Sequence, residues 1–354
     1  MKAKTIKTIL RLTASIIVVA FVLSFLTLLL KPKFMTGITE GAMIAEFYKE
    51  EMCHDVVFVG DCELYENISP ITLWENYGIS SYIRGSAQQL IWQSYYLMED
   101  TLRYETPQVF VFNVLSMKYA EPQKETYNRM TIDGMRWSMS KVNSIRASMT
   151  EDEHFIDYVF PILRFHSRWS ELTNEDLEYL FTKDKVAHNG YYMRVDTLPV
   201  TSIPEARPLA DYALSTNCWD YLNKMLSLCR KNNIELVLVK APSLFPVWYD
   251  EWEQQIEAYA SKNNLKYYNL LEDSDIIGIN WSTDTYDGGL HLNLSGATKN
   301  SIYLGKLLQE ECGVSDHRGD PYYESIWSSK IDFYYASIEE QKIKYGITDS
   351  KDDE

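Results

Sequence analysis

The sequence predicts an α/β fold: a three-layer α/β/α sandwich around a mostly parallel sheet, with a long insertion after the third strand and one N-terminal transmembrane helix. Three observations carry this expectation. Short, continuously apolar, β-branched runs recur along the chain, as strands buried on both faces require. Segments of helical periodicity separate them, and strand–helix alternation implies crossover connections. Ahead of them lies an uncharged run long enough to cross a bilayer.

That first run, residues 12–30 (LTASIIVVAFVLSFLTLLL), has 19 residues and no charge. At ~1.5 Å per residue it spans ~28 Å, about one hydrocarbon core. Lys2, Lys4, Lys7 and Arg11 precede it, and Lys31 and Lys33 follow it. The larger basic cluster comes first, so the N-terminus is expected in the cytoplasm and the body outside it. A cleaved signal peptide normally has a shorter apolar region ending in small residues, whereas this one ends LTLLLKPK, which favours an uncleaved signal anchor. A buried core helix fits poorly, because such a helix rarely lacks a polar stripe.

The first strand is expected at residues 55–59 (DVVFV), ending at Gly60. Further runs follow at 81–84, 108–114 (QVFVFNV), 234–240 (IELVLVK) and 266–270 (KYYNL). Apolar residues near helical spacing mark 88–104 (Leu90, Ile91, Tyr95, Leu97, Met98, Leu102) and 211–232 (Tyr212, Leu222, Met225, Leu226, Leu228) as helices. The stretch after the third strand is too long for one crossover and is read as a part-helical insertion at about residues 115–205, rich in Tyr, Trp, His and Arg. The domain reading is therefore a cytoplasmic stub and anchor at 1–33, an α/β domain at 34–314, and a C-terminal segment at 315–354 that finishes in an acidic tail, KDDE.

Charge narrows the partners. The chain of 354 residues has a formal net charge of −16. Residues 1–33 carry six basic groups and no acid, leaving 28 basic against 50 acidic residues, a net of −22, on the other 321. So acidic a body gains no counterion-release energy from a phosphate backbone, which argues against nucleic acid as a partner. The five cysteines (Cys53, Cys62, Cys218, Cys229, Cys312) form no C-x-x-C pair, and no metal site or cofactor is legible. In an exported chain an odd count leaves at least one thiol without an internal partner.

Ligands of open α/β sheets bind beyond the carboxyl ends of the strands, so the residues there are the site candidates. Gly60-Asp61-Cys62 follows the first strand and Arg84-Gly85-Ser86 the second. Asn113 ends the third and Lys240 the fourth, and residues 284–297 (DTYDGGLHLNLSGA) contain Asp284, Asp287, His291 and Asn293. This order resembles the SGNH (GDSL-like) hydrolase superfamily, whose members carry a G-D-S nucleophile turn, then a glycine, then an asparagine, and lastly an Asp and a His close together. The resemblance covers most of residues 55–310 through short motifs, and it implies a flavodoxin-like sheet.

By this resemblance Cys62 stands where the family has its serine, and His291 is the base that activates it. A carboxylate from the same loop orients the imidazole. The family form is D-x-x-H, whereas Asp287 lies four residues before His291 and Asp284 seven. Gly288 and Gly289 leave the loop pliant enough for either, with Asp287 preferred. Gly85 and Asn113 are the expected oxyanion donors. Arg84, Lys240 and His188 are the candidate substrate-binding groups, although a structural ion pair explains Lys240 equally well, and the rings near His188 better suit a small core of their own. Asp61 and Glu63 flank Cys62 and oppose a thiolate, so three readings of Cys62 stay open: a nucleophile, a site that binds without turnover, and a small buried residue in a tight turn.

More narrowly, the chain resembles membrane-anchored, extracytoplasmic bacterial SGNH-like proteins that modify cell-surface polymers, including the D-alanylation and alginate-acetylation types. That implies an acyl-ester hydrolase or O-acyltransferase acting on a surface polysaccharide, working beside a membrane-bound O-acyltransferase. The alternative is a catalytically degenerate, anchored glycan-binding or assembly subunit.

Overall fold

The structure is a computed structural model that describes residues 2–31, 34–35, 38–39, 41–181, 185–203 and 205–347. Two compact units are drawn from these, one from residues 1–40 and 151–185, the other from 41–150 and 186–354.

In the first unit, helix α1 (Lys2–Leu30) is long and apolar enough over Thr5–Leu30 to cross a membrane. Two-residue strands, Phe34–Met35 and Ile38–Thr39, pair antiparallel after it. The segment from 151 supplies short helical pieces (Phe155–Val159, Ile162–Phe165, His166–Glu171, Asn174–Glu178). They gather at the end of α1, where Leu29 and Leu30 are buried and Arg168 Nη1 donates to the Leu30 carbonyl at 2.9 Å.

The second unit is built on five parallel strands: β1 (Val56–Gly60), β2 (Ser81–Gly85), β3 (Val109–Asn113), β4 (Glu235–Lys240) and β5 (Lys266–Asn269), in the order β2-β1-β3-β4-β5. Each of the five apolar runs in the sequence forms one of them, and β1 and β3 are buried at every position. Period-2 alternation sends Val57, Val59, Phe110, Phe112, Leu236 and Leu238 to one face. There they pack against Leu97 and Met98 of α4 (Ile91–Thr101), Leu222, Met225 and Leu226 of α6 (Thr216–Asn232), and Ile256 of α7 (Asp250–Asn263). Between α4 and α6 in sequence, α5 (Met139–Ser148) packs on α4. Close to the sheet, α2 (Cys62–Asn67) and α3 (Pro70–Tyr77) pack with α8 (Leu294–Cys312). The C-terminal segment expected from 315 contains α9 (Pro321–Tyr345), which starts on an Asp320 cap and stacks Trp327 on Trp74 of α3 at 4.9 Å. The acidic end KDDE lies outside the described residues.

This strand order reverses direction between β1 and β3, and a crevice opens where two such connections diverge. Gly60 and Asn113, the last residues of β1 and β3, flank that position.

Candidate active site

At the end of β1 the chain turns sharply into α2. Asp61 caps the helix, its Oδ1 accepting the Glu63 N–H at 3.3 Å, which makes Cys62 the first helical residue. Gly60 is needed here because a Cβ would come within 3.0 Å of the Asn113 Cβ and closer still to Leu64. Cys62 is half-buried, and none of the five cysteines is in a disulfide.

The loop before α8 brings up the histidine. A bridge between Thr285 and Leu292 closes the loop, and positive φ at Gly288 and Gly289 (78° and 101°) curls it. Asp287 then reaches His291 twice: Oδ1 accepts the His291 backbone N–H at 2.8 Å, and Oδ2 lies 2.7 Å from Nδ1. The four-residue spacing is thus compensated by the two glycines. Asp284 faces the other way, bonded to Lys299 Nζ at 2.6 Å and to the Asn280 N–H at 2.8 Å. Asn67, at the end of α2, ties the loop down by accepting the Leu292 N–H at 2.7 Å and donating to the Pro242 carbonyl at 2.8 Å.

With Nδ1 held by Asp287, Nε2 is buried without a regular hydrogen bond. His291 and the Cys62 thiol are electrostatic partners, and each group shifts the other. Burial pushes the Cys62 thiol up, and His291 pulls against it. Burial alone would lower the His291 pKa, but Cys62, Glu66 and the Asp287 hydrogen bond hold it well above the usual imidazole range.

Three further residues complete the cluster. Glu66 Oε2 lies 3.6 Å from His291 Nδ1 and accepts the Tyr286 hydroxyl. The Tyr286 ring stacks on His291 at 6.0 Å, and the Arg194 guanidinium lies over that ring at 4.3 Å while pairing with Asp196. The sequence reading did not include Glu66 and Tyr286. A signal existed for Glu66, which is four residues after Cys62 and so shares its helix face.

Beneath Cys62 is a buried polar network. Asn113 spends both side-chain N–H groups on carboxylates, Asp61 Oδ1 at 2.9 Å and Glu63 Oε2 at 3.0 Å, and its Oδ1 accepts the Ala241 N–H at 3.2 Å. Lys240 Nζ sits 3.0 Å from both Glu63 oxygens and 2.7 Å from the Ala241 carbonyl. Burial and the Glu63 charge raise Asp61 to about 6, and burial lowers Lys118 beside them.

Several sequence expectations change here. Asn113 does not offer its amide to an oxyanion, because the two acidic neighbours of Cys62 occupy it. Lys240 is fully buried in an ion pair and touches no substrate surface. Arg84 is also fully buried, on the opposite side of β2 from Gly85. Its guanidinium binds Asp100 at 2.9 Å, Thr101, the Leu97 carbonyl and Tyr48, and lies 4.2 Å from the Phe47 ring centre. A buried arginine must find such partners or cost several kcal/mol. His188 packs against the Phe333 and Tyr334 rings of α9 at 4.8 and 5.1 Å, away from solvent. Gly85 ends β2 opposite Gly60, and a Cβ there would lie 3.1 Å from the Gly60 carbonyl. Among the described residues no group of three or more His, Cys, Asp and Glu is arranged to hold a metal ion.

No family model matches the chain, and no curated protein matches it.

Proposed function

We propose that this chain is an SGNH-like acyl-ester hydrolase or O-acyltransferase, anchored in the membrane by α1 and working on a cell-surface polysaccharide at the outer face, beside a membrane-bound O-acyltransferase. In this reading the parallel sheet is the middle layer of an α/β/α sandwich, and residues 115–205 are an insertion after β3. The observation that carries the proposal is the run Asp287, His291, Cys62 beyond the end of β1, with Oδ2 of Asp287 2.7 Å from Nδ1 of His291 and His291 coupled electrostatically to the Cys62 thiol.

In this reading Cys62 and His291 share one proton. The thiol proton passes to Nε2 of His291, and the reactive form is the minor thiolate–imidazolium pair. The thiolate attacks the ester carbonyl, the C–S bond forms, and the C–O bond breaks as the leaving alkoxide takes the Nε2 proton. Neutral His291 then removes a proton from water or from a polymer hydroxyl, which attacks the thioester and releases the thiolate. Asp287 holds the ring in the tautomer that both steps need.

Release of acetate from model esters by the full-length protein tests this. Cys62→Ala and His291→Ala lose roughly 10²-fold or more, Asp287→Asn loses less, and Cys62→Ser retains turnover. Equal rates for wild type and Cys62→Ala would overturn nucleophilic catalysis.

One observation favours a second reading, an anchored binding or assembly subunit without turnover. The Asn113 donors are spent on Asp61 and Glu63, and burial holds the Cys62 thiol protonated. That reading predicts polysaccharide binding unchanged by Cys62→Ala.

A further inference from the structure

We propose that residues 154–181 form a second membrane contact, lying in the outer headgroup–acyl boundary beside α1. The inference rests on the membrane-anchor reading and is independent of the acyl-transfer chemistry. Within the first unit this segment exposes large apolar side chains that a soluble surface would cover: Phe160 at 50%, Leu163 at 51%, Trp169 at 67% and Phe181 at 86% exposure. Patches of this kind mark an interaction surface.

What covers them follows from where the segment is attached. The surface of α1 is exposed as far as Phe25, Leu26 and Thr27 are half-buried, Leu28 is exposed, and Leu29 and Leu30 are buried. Those last five residues rise ~7 Å along the helix axis. The segment therefore covers one side of the final ~7 Å of the apolar span, and interfacial elements bury their apolar side ~5–10 Å deep. Arg168 is fixed to the Leu30 carbonyl at 2.9 Å, so Trp169, its neighbour, is held at the level where the span leaves the hydrocarbon. Tryptophan is enriched at that level.

Charge agrees. In so acidic a protein, residues 158–170 (YVFPILRFHSRWS) contain no acid and carry Arg164 and Arg168, while acids crowd both sides at 151–157 and 171–178. Arg168 is paired with Glu171 and Asp176 at 3.6 and 3.5 Å, so the stretch presents aromatic surface with little net charge, which suits a zwitterionic lipid interface.

The full chain, placed one copy per lipid nanodisc, supplies the test. Tryptophan emission is compared in phosphatidylcholine brominated near the glycerol end of its acyl chains and in the same lipid without bromine. Wild type is expected to be quenched by the brominated lipid, and Trp169→Phe to lose most of that quenching. Quenching unchanged by Trp169→Phe, with the chain still in the disc, overturns the interfacial contact and leaves the anchor intact. Failure of the chain to remain with the discs overturns both. Trp169 emission that shifts to the blue only when two copies share a disc assigns the surface to a second copy and overturns the lipid contact.

Discussion

Cys62 and His291 act as one titrating pair, and their chemistry depends on how a proton is divided between them. Burial raises the thiol above its ordinary value, which favours the protonated thiol at pH 7. Alkylation of Cys62 by iodoacetamide, followed site by site with mass spectrometry, is expected to be slow at pH 7 and to rise about tenfold per pH unit towards pH 9. In His291→Gln the curve moves to still higher pH, because the imidazolium is the group that opposes the upward shift. Fast alkylation that is flat between pH 6 and 8 would mean a resting thiolate and contradict this account. Asp287 was separable from Asp284 in the sequence only as a preference. The hydrogen bonds separate them fully, since Asp284 is held by Lys299 and Asp287 by His291. Arg84 as a substrate group and the substrate reading of Lys240 fail for one reason, while the ion-pair reading of Lys240 holds: a cation near a strand end looks the same in sequence whether it meets solvent or a buried carboxylate. Both meet carboxylates, Asp100 and Glu63.

At the scale of elements, the turn at residues 188–191 changes meaning. The turn His188-Asn189-Gly190-Tyr191-Tyr192, whose rings suited a small core better than a surface, protects the edge of the sheet. β2 is an outer strand, and its Ile83 N–H donates to the Asn189 carbonyl at 2.9 Å while Asn189 Nδ2 donates to the Ser81 carbonyl at 3.1 Å. Covering an edge in this way removes a site for intermolecular pairing. Gly190 has φ of 85°, and a Cβ there would overlap the Ile83 carbonyl. Gly190→Ala is therefore expected to destabilise the protein by about 2–4 kcal/mol, measured by denaturant unfolding, and to increase aggregation. A change below about 0.5 kcal/mol, within the range of ordinary surface substitutions, would show that the edge contact does not matter. The strands themselves were legible because apolar β-branched runs of this length have few other uses. Their order, β2-β1-β3-β4-β5, is the flavodoxin-like one that only the family resemblance implied, because pairing β1 with both β2 and β3 is a long-range outcome that no local pattern records.

The whole molecule combines a +6 N-terminal segment with a −22 remainder, and the anchor reading places that remainder outside the cytoplasm. Cys53 is an exposed thiol in the second unit and reports the side directly. An impermeant maleimide added to right-side-out vesicles is expected to label Cys53 without permeabilisation. Labelling that requires permeabilisation would reverse the orientation. The acidic surface also suits a neutral or cationic polymer better than an anionic one. Arg84 and Lys240 are buried and Arg194 is already paired with Asp196, so these cations offer little to an anionic polymer.

By itself the sequence determined what depends on local periodicity: an apolar span, five strand-forming runs, amphipathic helices between them, and the nucleophile-like and histidine turns. Burial and repeat spacing are written residue by residue and need no knowledge of the partner. Tertiary structure alone decided which groups meet across the chain. Glu66 and Tyr286 are 220 positions apart and share a hydrogen bond, and Asn113 is drawn to Asp61 and Glu63 50 or so residues away. A buried polar atom must find its partner wherever the fold brings one, and that search turns a family-like row of motifs into a site whose acid, base and oxyanion donors are partly spoken for.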